Sequence, residues 1–437
     1  MNIKARLNSK IIIEILFILL FINYFTVTIV LRNRFPFSYF RDCALLLLMC
    51  IAIRKRKVKF EKKTIKFLTV FGISLVIGAI RSYSLYTIIQ ESRRYLFPLI
   101  LFILLRSVLG RRETDKIVKY ILYMVSFIGV WGVFQAFVLK DQFLIKLGYP
   151  TRYAIEYGRV ALNYSFYFGN LGIQRVASTF SSSNICGAVL GITLIFFIIN
   201  YEHVKSIKYY NICIISIAVA YILTFSRANF LAMLIVLILI MWPYIPKKKT
   251  LFLVGGGLGV LIFVCIMIYN KDILLKIAGW VVDSMHLRDS SSAGRGSIWI
   301  TALREVIQNP FGIGIGYTGE NAYQAGASIV FACENSYLSM ALDIGVVGMI
   351  SYFMFWIYYA KILKKYAGQF KGKDSLLEKK FCLSIYCILI YLMIISFFSN
   401  HFKDMELISF VALFVAMGMN FIENKKIKYI EFGGLYE

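Results

Sequence analysis

The sequence predicts an all-α, polytopic integral membrane protein, and three observations support this fold class. Of its 437 residues, 59% are hydrophobic and only 16% are charged, which is more apolar surface than a soluble protein can bury. Apolar runs of about 20 residues, the length that crosses the hydrocarbon core as a helix, recur along the whole chain. Six prolines and long Leu, Ile and Phe runs without a period of two favour helices over the strands of a membrane barrel.

Twelve apolar segments are candidates for membrane-spanning helices. They are residues 11–31, 36–53, 65–80, 94–109, 117–139, 184–200, 210–223, 228–245, 250–269, 335–360, 382–399 and 407–422. Together they form a single membrane domain over residues 1–437, with two long connections at 140–183 and 270–333. Long ordered connections are often functional, so we expect the chemistry in these two loops, the second of which is predicted to carry short helices such as 297–308.

The positive charges indicate which side of the membrane each connection occupies. The chain carries 49 Lys and Arg residues and a net charge of +26. Of these 49 residues, 31 fall on the side of both termini and 18 on the side of the two long loops. The positive-inside rule therefore predicts cytoplasmic termini and outer long loops. Because the charge follows membrane topology, it does not indicate nucleic-acid binding.

The type of basic residue differs between the two sides. Lys accounts for 25 of the 31 inner residues, whereas Arg accounts for 13 of the 18 outer residues. A guanidinium group is a planar fork that binds phosphate oxygens in pairs, which an ammonium group cannot do. The outer face is therefore predicted to bind an anionic ligand, for which a lipid-linked diphosphate is a natural candidate. The alternative is that these arginines lie against lipid headgroups.

The sequence predicts neither a metal site nor a cofactor. Its three histidines are far apart, and no Cys and His spacing resembles a zinc site. Residues 314–319 (GIGYTG) match the G-x-G-x-x-G pattern but follow no predicted strand, so we do not interpret them as a nucleotide loop. A Walker-type phosphate loop is also missing from the sequence. The energy for any reaction must therefore come from the substrate.

Four short segments resemble, in this order along the chain, the bacterial O-antigen ligase and polysaccharide polymerase family. They are 175–184 (RVASTFSSSN), 224–229 (TFSRAN), 294–316 with NPFGIGIG at its end, and 334–348, which begins ENSYL and ends GVVG. In the ligases a His precedes an Asn, Ser or Gln, which is separated by nine residues from a Gly-x-x-Gly pair. Here Asn335, Gly345 and Gly348 match, but Glu334 stands where the His would be. This departure favours the polymerase branch.

The resemblance implies an enzyme, a metal- and nucleotide-independent glycosyltransferase of the bacterial plasma (inner) membrane. Such an enzyme joins oligosaccharides linked to polyprenyl (undecaprenyl) diphosphate on the outer face, in the synthesis of capsule, exopolysaccharide or O-antigen. Its expected partners are that lipid-linked substrate and the membrane lipids, and a flippase and a chain-length regulator are candidate protein partners. The sugar and its linkage remain open.

Two alternatives to the polymerase remain. A ligase of the same family would transfer finished glycan to another acceptor. A lipid-linked oligosaccharide flippase or exporter, from a different functional class, also binds diphosphate lipid and has a similar number of spans. A flippase would need basic residues along a cavity open to both sides, whereas the four segments above lie at one predicted face.

The segments that carry the resemblance supply candidate residues for this chemistry. The donor sugar leaves from a diphosphate, which is a good leaving group, so fixed cations are needed more than a general acid. We expect Arg227 and Arg295 to stabilise the diphosphate as catalytic residues, and Glu334 to accept the proton of the attacking hydroxyl. The alternative for Glu334 is a carboxylate favoured by the dipole of the following helix. The residues expected to bind substrate are Arg175, Asn335, Arg288, Arg304 and Tyr337.

Asp343 is a charged residue inside the tenth predicted span. A charged side chain at such a depth requires a partner or a function. The sequence leaves both interpretations open, because Asp343 could pair with a neighbouring span or contribute to the site.

Overall fold

The computed structural model of the protein describes residues 61–109, 111–147, 149, 151–154, 159–162, 167–168, 173–241, 290–318, 333–369 and 376–433, together with the single positions 43 and 47. The α-helices of this part of the chain are α1 Lys62–Ile80, α2 Leu85–Val108, α3 Arg111–Phe134, α4 Lys140–Leu147, α5 Ser183–Ile199, α6 Tyr201–Val204, α7 Tyr210–Leu223, α8 Arg227–Met241, α9 Ser290–Gln308, α10 Ser336–Gln369, α11 Leu376–Ile395 and α12 Met405–Gly433.

Four helices are long and apolar enough to cross a membrane, namely Lys62–Ile80, Thr114–Lys146, Ser336–Gln369 and Met405–Glu423. Shorter apolar helices lie at Ser183–Ile199, Tyr210–Leu223 and Arg227–Ile240. The helical, polytopic membrane architecture is therefore confirmed, and the total of twelve spans stays a prediction. The predicted spans 11–31, 36–53 and 250–269 lie outside the described residues, apart from positions 43 and 47.

Several helices extend beyond the predicted spans, and α2 and α3 show two different reasons for this. Helix α2 begins at Leu85, nine residues before the predicted start, because the charged residues of its first half interrupt the apolar pattern. There Arg94 Nη1 lies 2.9 Å from Glu91 Oε1, one helical turn away, and such a pair allows a charged turn to be buried. Helix α3 continues through one turn of π-helix, Gln135–Leu139, into α4, so the helix extends to Leu147 into the segment predicted as the first long loop.

The first long loop also contains β-structure, which the all-α prediction omitted. Strand β1 (Thr151–Ala154) pairs with β2 (Arg159–Leu162), and β3 (Tyr167–Phe168) pairs with β4 (Ile173–Gln174), both in the antiparallel sense. These strands of two to four residues are too short to show a periodic pattern in the sequence. The other regular elements given above are helices.

Helix α10 lies at the centre of the bundle between α1 and α11, while α12 packs against α2 and α3 packs against α7. Aromatic side chains form much of the contact between α2 and α10. The ring of Phe102 lies 4.7 Å from that of Tyr359 and 5.6 Å from that of Phe355, both in edge-on arrangements. Such contacts bury large apolar surfaces with defined geometry. Helix α10 is thereby fixed against its neighbours.

Helix α10 is interrupted at Gly345, where φ is 78° and ψ is 165°. The connection that follows α9 packs into this interruption. Ile313 N donates to Leu342 O at 2.7 Å, and Val346 N donates to Pro310 O at 2.9 Å. A backbone group buried in a membrane domain must be paired. The loop therefore replaces helical hydrogen bonds that the break removes.

A polar cluster joins four segments at the end of the bundle opposite to the break. This inner-end cluster consists of Glu61, Arg106, Tyr358 and Glu423. Arg106 Nη2 donates to Glu61 Oε1 at 2.8 Å, and Arg106 Nε donates to Glu423 Oε1 at 3.0 Å. Tyr358 OH donates to Glu61 Oε2 at 2.6 Å. By the predicted orientation, this end faces the cytoplasm.

Candidate functional site at the outer end of the bundle

The first two family motifs meet where α5 begins and α7 ends. Arg175 Nε donates to Thr224 O at 2.8 Å, and Arg175 Nη2 donates to Asn184 Oδ1 at 2.9 Å. Ser226 Oγ donates to the same Asn184 oxygen at 3.0 Å. The guanidinium of Arg175 is half-buried, and these contacts hold it between the two motifs. Arg227 follows Ser226 as the first residue of α8, so Arg175 and Arg227 belong to one local cluster.

Asn229, the last residue of the second motif, links this cluster to α11. Its Nδ2 donates to Asn184 O at 2.9 Å, and its Oδ1 accepts a hydrogen bond from Tyr391 OH at 3.0 Å. Its backbone oxygen accepts from Tyr221 OH at 2.7 Å. Because Asn229 is almost fully buried, each of these bonds satisfies a group that would otherwise lack water. This residue therefore fixes the positions of the helix ends that carry the motifs.

The third motif forms the glycine loop, which we define as residues 310–318. Positive φ angles occur at Gly312, Gly314 and Gly316. At Gly314 an added Cβ atom would lie 2.5 Å from Arg81 O, so both the conformation and the close approach require glycine there. Ile315 N donates to Gly78 O at 2.9 Å. The described part of the G-x-G-x-x-G sequence is thus engaged in packing against the end of α1.

The fourth motif begins α10, and its two polar residues have different surroundings. Asn335 is buried, and its Oδ1 accepts hydrogen bonds from Tyr337 N at 2.9 Å and Leu338 N at 3.1 Å. It therefore caps the helix. Glu334 is exposed at the mouth of this helix. The neighbouring Cys333 is buried, and this burial raises the pKa of its thiol to about 11, so the thiol is protonated and not nucleophilic at neutral pH.

The remaining predicted site residues occupy three different environments. Tyr337 donates from its hydroxyl to Met393 O at 2.8 Å and stacks on Phe353 at 4.4 Å, so it helps to join α10 to α11. Arg304 is exposed on α9. Arg295 belongs to the same helix by its backbone, and Arg288 lies outside the described residues.

The end of α11 lies between the two halves of the candidate site. Tyr391 contacts the first pair of motifs through Asn229. Five residues further on, Ser396 O accepts a hydrogen bond from Ser336 N at 2.9 Å. Three residues beyond that, Ser399 O accepts a hydrogen bond from Ser336 Oγ at 2.9 Å. The cluster around Arg175 and the start of α10 are therefore attached to one helix end. All four motifs lie at this end of the described bundle.

A largely buried group of charged and polar residues at the same end was not predicted from the sequence. This outer ion network consists of Glu91, Arg94, Tyr95, Asp343 and Lys403. Lys403 Nζ lies 2.5 Å from Asp343 Oδ2 and 3.4 Å from Glu91 Oε2, and Tyr95 OH donates to Asp343 Oδ2 at 2.8 Å. Lys403 lies between the last two predicted spans, and its side chain is only 5% exposed. The pairing interpretation of Asp343 is confirmed.

Charged residues within the apolar segments were the sequence feature that could have indicated this network. Glu91 and Arg94 are three residues apart and share one face of a helix, and Asp343 needed a counter-charge. Lys403 is 60 residues further along the chain than Asp343, a separation that no local pattern reveals. Within the described residues, no group of three or more His, Cys, Asp or Glu side chains could hold a metal ion.

Part of the chain is similar to a known protein family. The family model described as O-antigen ligase matches residues 212–353 of the chain. The matched stretch runs from α7 into α10 and includes the second, third and fourth motifs. It confirms the resemblance to the O-antigen ligase and polymerase family, and it supports a membrane-glycan function of the ligase or polymerase type. No curated protein matches the chain.

Proposed function

We propose that the protein is a surface-polysaccharide polymerase of the bacterial plasma membrane. It transfers a growing glycan from its polyprenyl diphosphate carrier to the terminal sugar of a new lipid-linked repeat unit on the outer face. The observation that supports this proposal most directly is the gathering of four family motifs at one end of the bundle. That end is the outer one by the distribution of Lys and Arg.

The reaction forms a glycosidic bond and breaks a glycosyl-phosphate bond. A hydroxyl oxygen of the acceptor sugar attacks the anomeric carbon of the donor, and the bond from this carbon to the diphosphate oxygen breaks. The bonding electrons leave with the polyprenyl diphosphate. The hydroxyl proton passes to the carboxylate of Glu334 and is then released to solvent or to the leaving diphosphate. The energy comes from the donor linkage, so the reaction needs no nucleotide.

The arginines stabilise the charge that develops on the leaving group. Arg227 begins α8 beside the Arg175 cluster, and Arg295 belongs by its backbone to α9. Cations held in place before the reaction stabilise a developing anion without reorganisation. Arg304 and Arg288 are the further arginines proposed to bind the donor diphosphate. Asn335 and Tyr337 are proposed to form part of the acceptor site at the start of α10, in addition to their structural contacts there.

The two alternatives predict different use of the same end of the bundle. A ligase would transfer finished glycan to an acceptor other than a repeat unit, and the Glu in place of His at position 334 favours the polymerase over it. A flippase would have to open the inner end of the bundle. The inner-end cluster joins α2, α10, α12 and the residue preceding α1 through charged hydrogen bonds, which favours an enzyme working at one face.

One reaction tests the proposal and separates the alternatives. Purified protein in detergent or liposomes is incubated with its lipid-linked repeat unit and no nucleotide, and the products are separated by size. A polymerase gives a ladder at repeat-unit intervals. A single transfer product that forms only with a different acceptor would indicate a ligase. Movement of the unit across a liposome without any product would indicate a flippase and contradict the proposal.

A further inference from the structure

The glycine loop ends in a buried hydroxyl with three partners. Thr318 is only 1% exposed. Its Oγ1 accepts hydrogen bonds from Lys403 Nζ at 2.5 Å and Ser339 Oγ at 2.9 Å, and it donates to Asp343 Oδ1 at 2.9 Å. One donation and two acceptances are all that a hydroxyl can make. The loop is thereby attached to the outer ion network.

The loop is held along its length as well as at its end. Arg81 donates to Gly312 O, Ser82 Oγ donates to Ile315 O at 2.6 Å, and Tyr83 OH donates to Gly316 O at 3.3 Å. These three donors come from the connection between α1 and α2. Together with the hydrogen bonds to α10, they fix the loop on two sides. Thr318 adds a third anchor, on the turn that precedes α12.

The glycine loop continues from a helix that packs directly against α10. Helix α9 leads directly into the loop, and its buried residues Ala302 and Val306 pack with Ala341 and Leu342 of α10. Arg295 and Arg304 are on α9, whereas Glu334 precedes α10. A shift of the loop would therefore move the arginines relative to the carboxylate. A displacement of about 1 Å between groups that act together can reduce a rate by about 10²-fold.

We propose that Thr318 and Lys403 are positioning residues that lock the glycine loop and so set the distance between the arginines of α9 and the carboxylate at the start of α10. This inference rests on the proposed function. Lys403 joins the loop anchor to the charges of α2 and α10 in a single buried group. Thr318 carries the attachment to the loop itself.

The ion network and the loop attachment can be separated by mutation. The charges of Glu91, Arg94, Asp343 and Lys403 balance one another without any contribution from the Thr318 hydroxyl. Thr318→Val keeps the shape of the side chain and every charge, but it removes the three hydrogen bonds. Substitution of Lys403 would instead leave a buried carboxylate without its cation, which destabilises the fold. Thr318 is therefore the residue to change.

The experiment compares three variants in the ladder assay at equal amounts of folded protein. Thr318→Val should lower kcat by about 10-fold or more and leave KM for the lipid-linked donor within about 2-fold, because binding contacts remain while alignment is lost. Thr318→Ser should recover most of the rate. The matched control is Thr193→Val in the middle of α5, where a buried hydroxyl donates only to Val189 O at 2.8 Å. This control should keep the wild-type kcat.

Two results would overturn the inference. One is a wild-type kcat for Thr318→Val. The other is a loss of kcat in Thr193→Val that matches the loss in Thr318→Val, since the effect would then follow stability alone. If Thr318→Val does not fold, Ser339→Ala removes a single bond to Thr318 and should lower kcat by about 3-fold, and an unchanged kcat would overturn the inference.

A distance measurement separates failure of this inference from failure of the proposed function. Spin labels are placed at the exposed positions Ile300 on α9 and Ile350 on α10. Pulsed electron paramagnetic resonance then measures the distance between the two helices. In Thr318→Val the distance distribution should widen, whether or not the wild-type protein polymerises the chosen substrate. An unchanged distribution would contradict the locking role. A wild-type protein that gives no ladder would contradict the polymerase proposal alone.

Discussion

Glu334 and Asn335, at the start of α10, differ in burial and in contacts. Asn335 caps the helix from a buried position, and Glu334 is exposed. Glu334→Gln keeps the size of the side chain but cannot accept the hydroxyl proton. We expect this variant to lose about 10²-fold or more in polymerisation rate, with unchanged thermal stability. Full activity of Glu334→Gln in the ladder assay would remove this residue from the role of base.

Two further substitutions at this turn sharpen the test. Glu334→Asp keeps a carboxylate with a shorter reach, so its rate should lie between those of the wild type and the Gln variant. Glu334→His introduces the residue of the ligases and should be weakly active or inactive. Asn335→Ala is the matched change at the neighbouring position. It should destabilise the helix start by about 1 kcal/mol, seen as a lower melting temperature.

Arg227 tests whether the outer arginines bind phosphate by geometry or by charge. Arg227→Lys keeps the positive charge but removes the planar fork, so we expect most of the activity to be lost. Arg227→Gln should be no more active than the Lys variant. The measurement is polymer length and amount at equal protein levels. Near-normal polymer from Arg227→Lys would indicate that a point charge is sufficient and would contradict bidentate binding.

Arg175 requires a different interpretation of the same substitution. Its guanidinium joins two motifs through Nε and Nη2, and a lysine cannot make both bonds. A loss of activity in Arg175→Lys would therefore be accompanied by a loss of thermal stability. Asn184→Ala removes one of these bonds from the other side and serves as the control for this structural contribution.

His401 makes stability depend on pH. It is buried in the turn before α12, and burial lowers its pKa from 6.5 to about 3. Between these two values the unfolded chain binds a proton that the folded protein does not, so stability falls as the pH falls below 6.5. At pH 5 the loss from this residue is about 2 kcal/mol. His401→Leu should flatten the dependence of melting temperature on pH from 7 to 5, and an unchanged slope would contradict this assignment.

The interruption of α10 at Gly345 makes room for the glycine loop at the outer end of the bundle. An added Cβ at Gly345 would lie 2.7 Å from Phe311 C and 2.9 Å from Pro310 O, and its positive φ is unfavourable for other residues. Gly345→Ala should therefore lower stability by about 1 to 3 kcal/mol. Gly72→Ala in α1 is the control, because nothing lies within 4 Å of its added Cβ. Equal melting temperatures for both variants would contradict a strained break.

The sequence predicted regular elements better than irregular ones. Helix α7 has the predicted bounds, 210–223, because no charged residue interrupts its apolar run. The start of α2 was placed too late because Glu91 and Arg94 interrupt the apolar pattern, although the two pair with each other and Glu91 also lies near Lys403 in the fold. The break at Gly345 was visible as part of a motif but not as a break, since only the loop packed into it makes such a conformation stable.

The residues of the candidate site also differ in how well the sequence predicted them. Arg175, Arg227 and Asn184 belong to motifs whose order along the chain was informative, and the structure joins these motifs by hydrogen bonds. No sequence motif singles out Lys403 or Thr318. Both residues matter because of contacts made across long separations in the chain. Their environment could be recognised only after folding had brought α2, α10 and the turn before α12 together.

The orientation of the whole molecule is testable with two exposed positions. Lys208 lies in the turn before α7, on the predicted cytoplasmic side, and Gln308 ends α9 on the predicted outer side. In intact cells Gln308→Cys should react with a membrane-impermeant thiol reagent, whereas Lys208→Cys should react only after the membrane is opened. The native cysteines are first replaced. Labelling of Lys208→Cys in sealed cells would reverse the orientation and contradict an outer site.

The hydrogen bonds between α10 and the glycine loop restrict the changes of length that related chains can tolerate there. Leu342 O and Val346 N are paired with Ile313 N and Pro310 O, so a single inserted or deleted residue between these loop positions would leave buried backbone groups unpaired. Such a group costs several kcal/mol in a membrane interior. We therefore expect related chains to keep the length of this stretch, and to vary in length in the connections 140–183 and 270–289 instead.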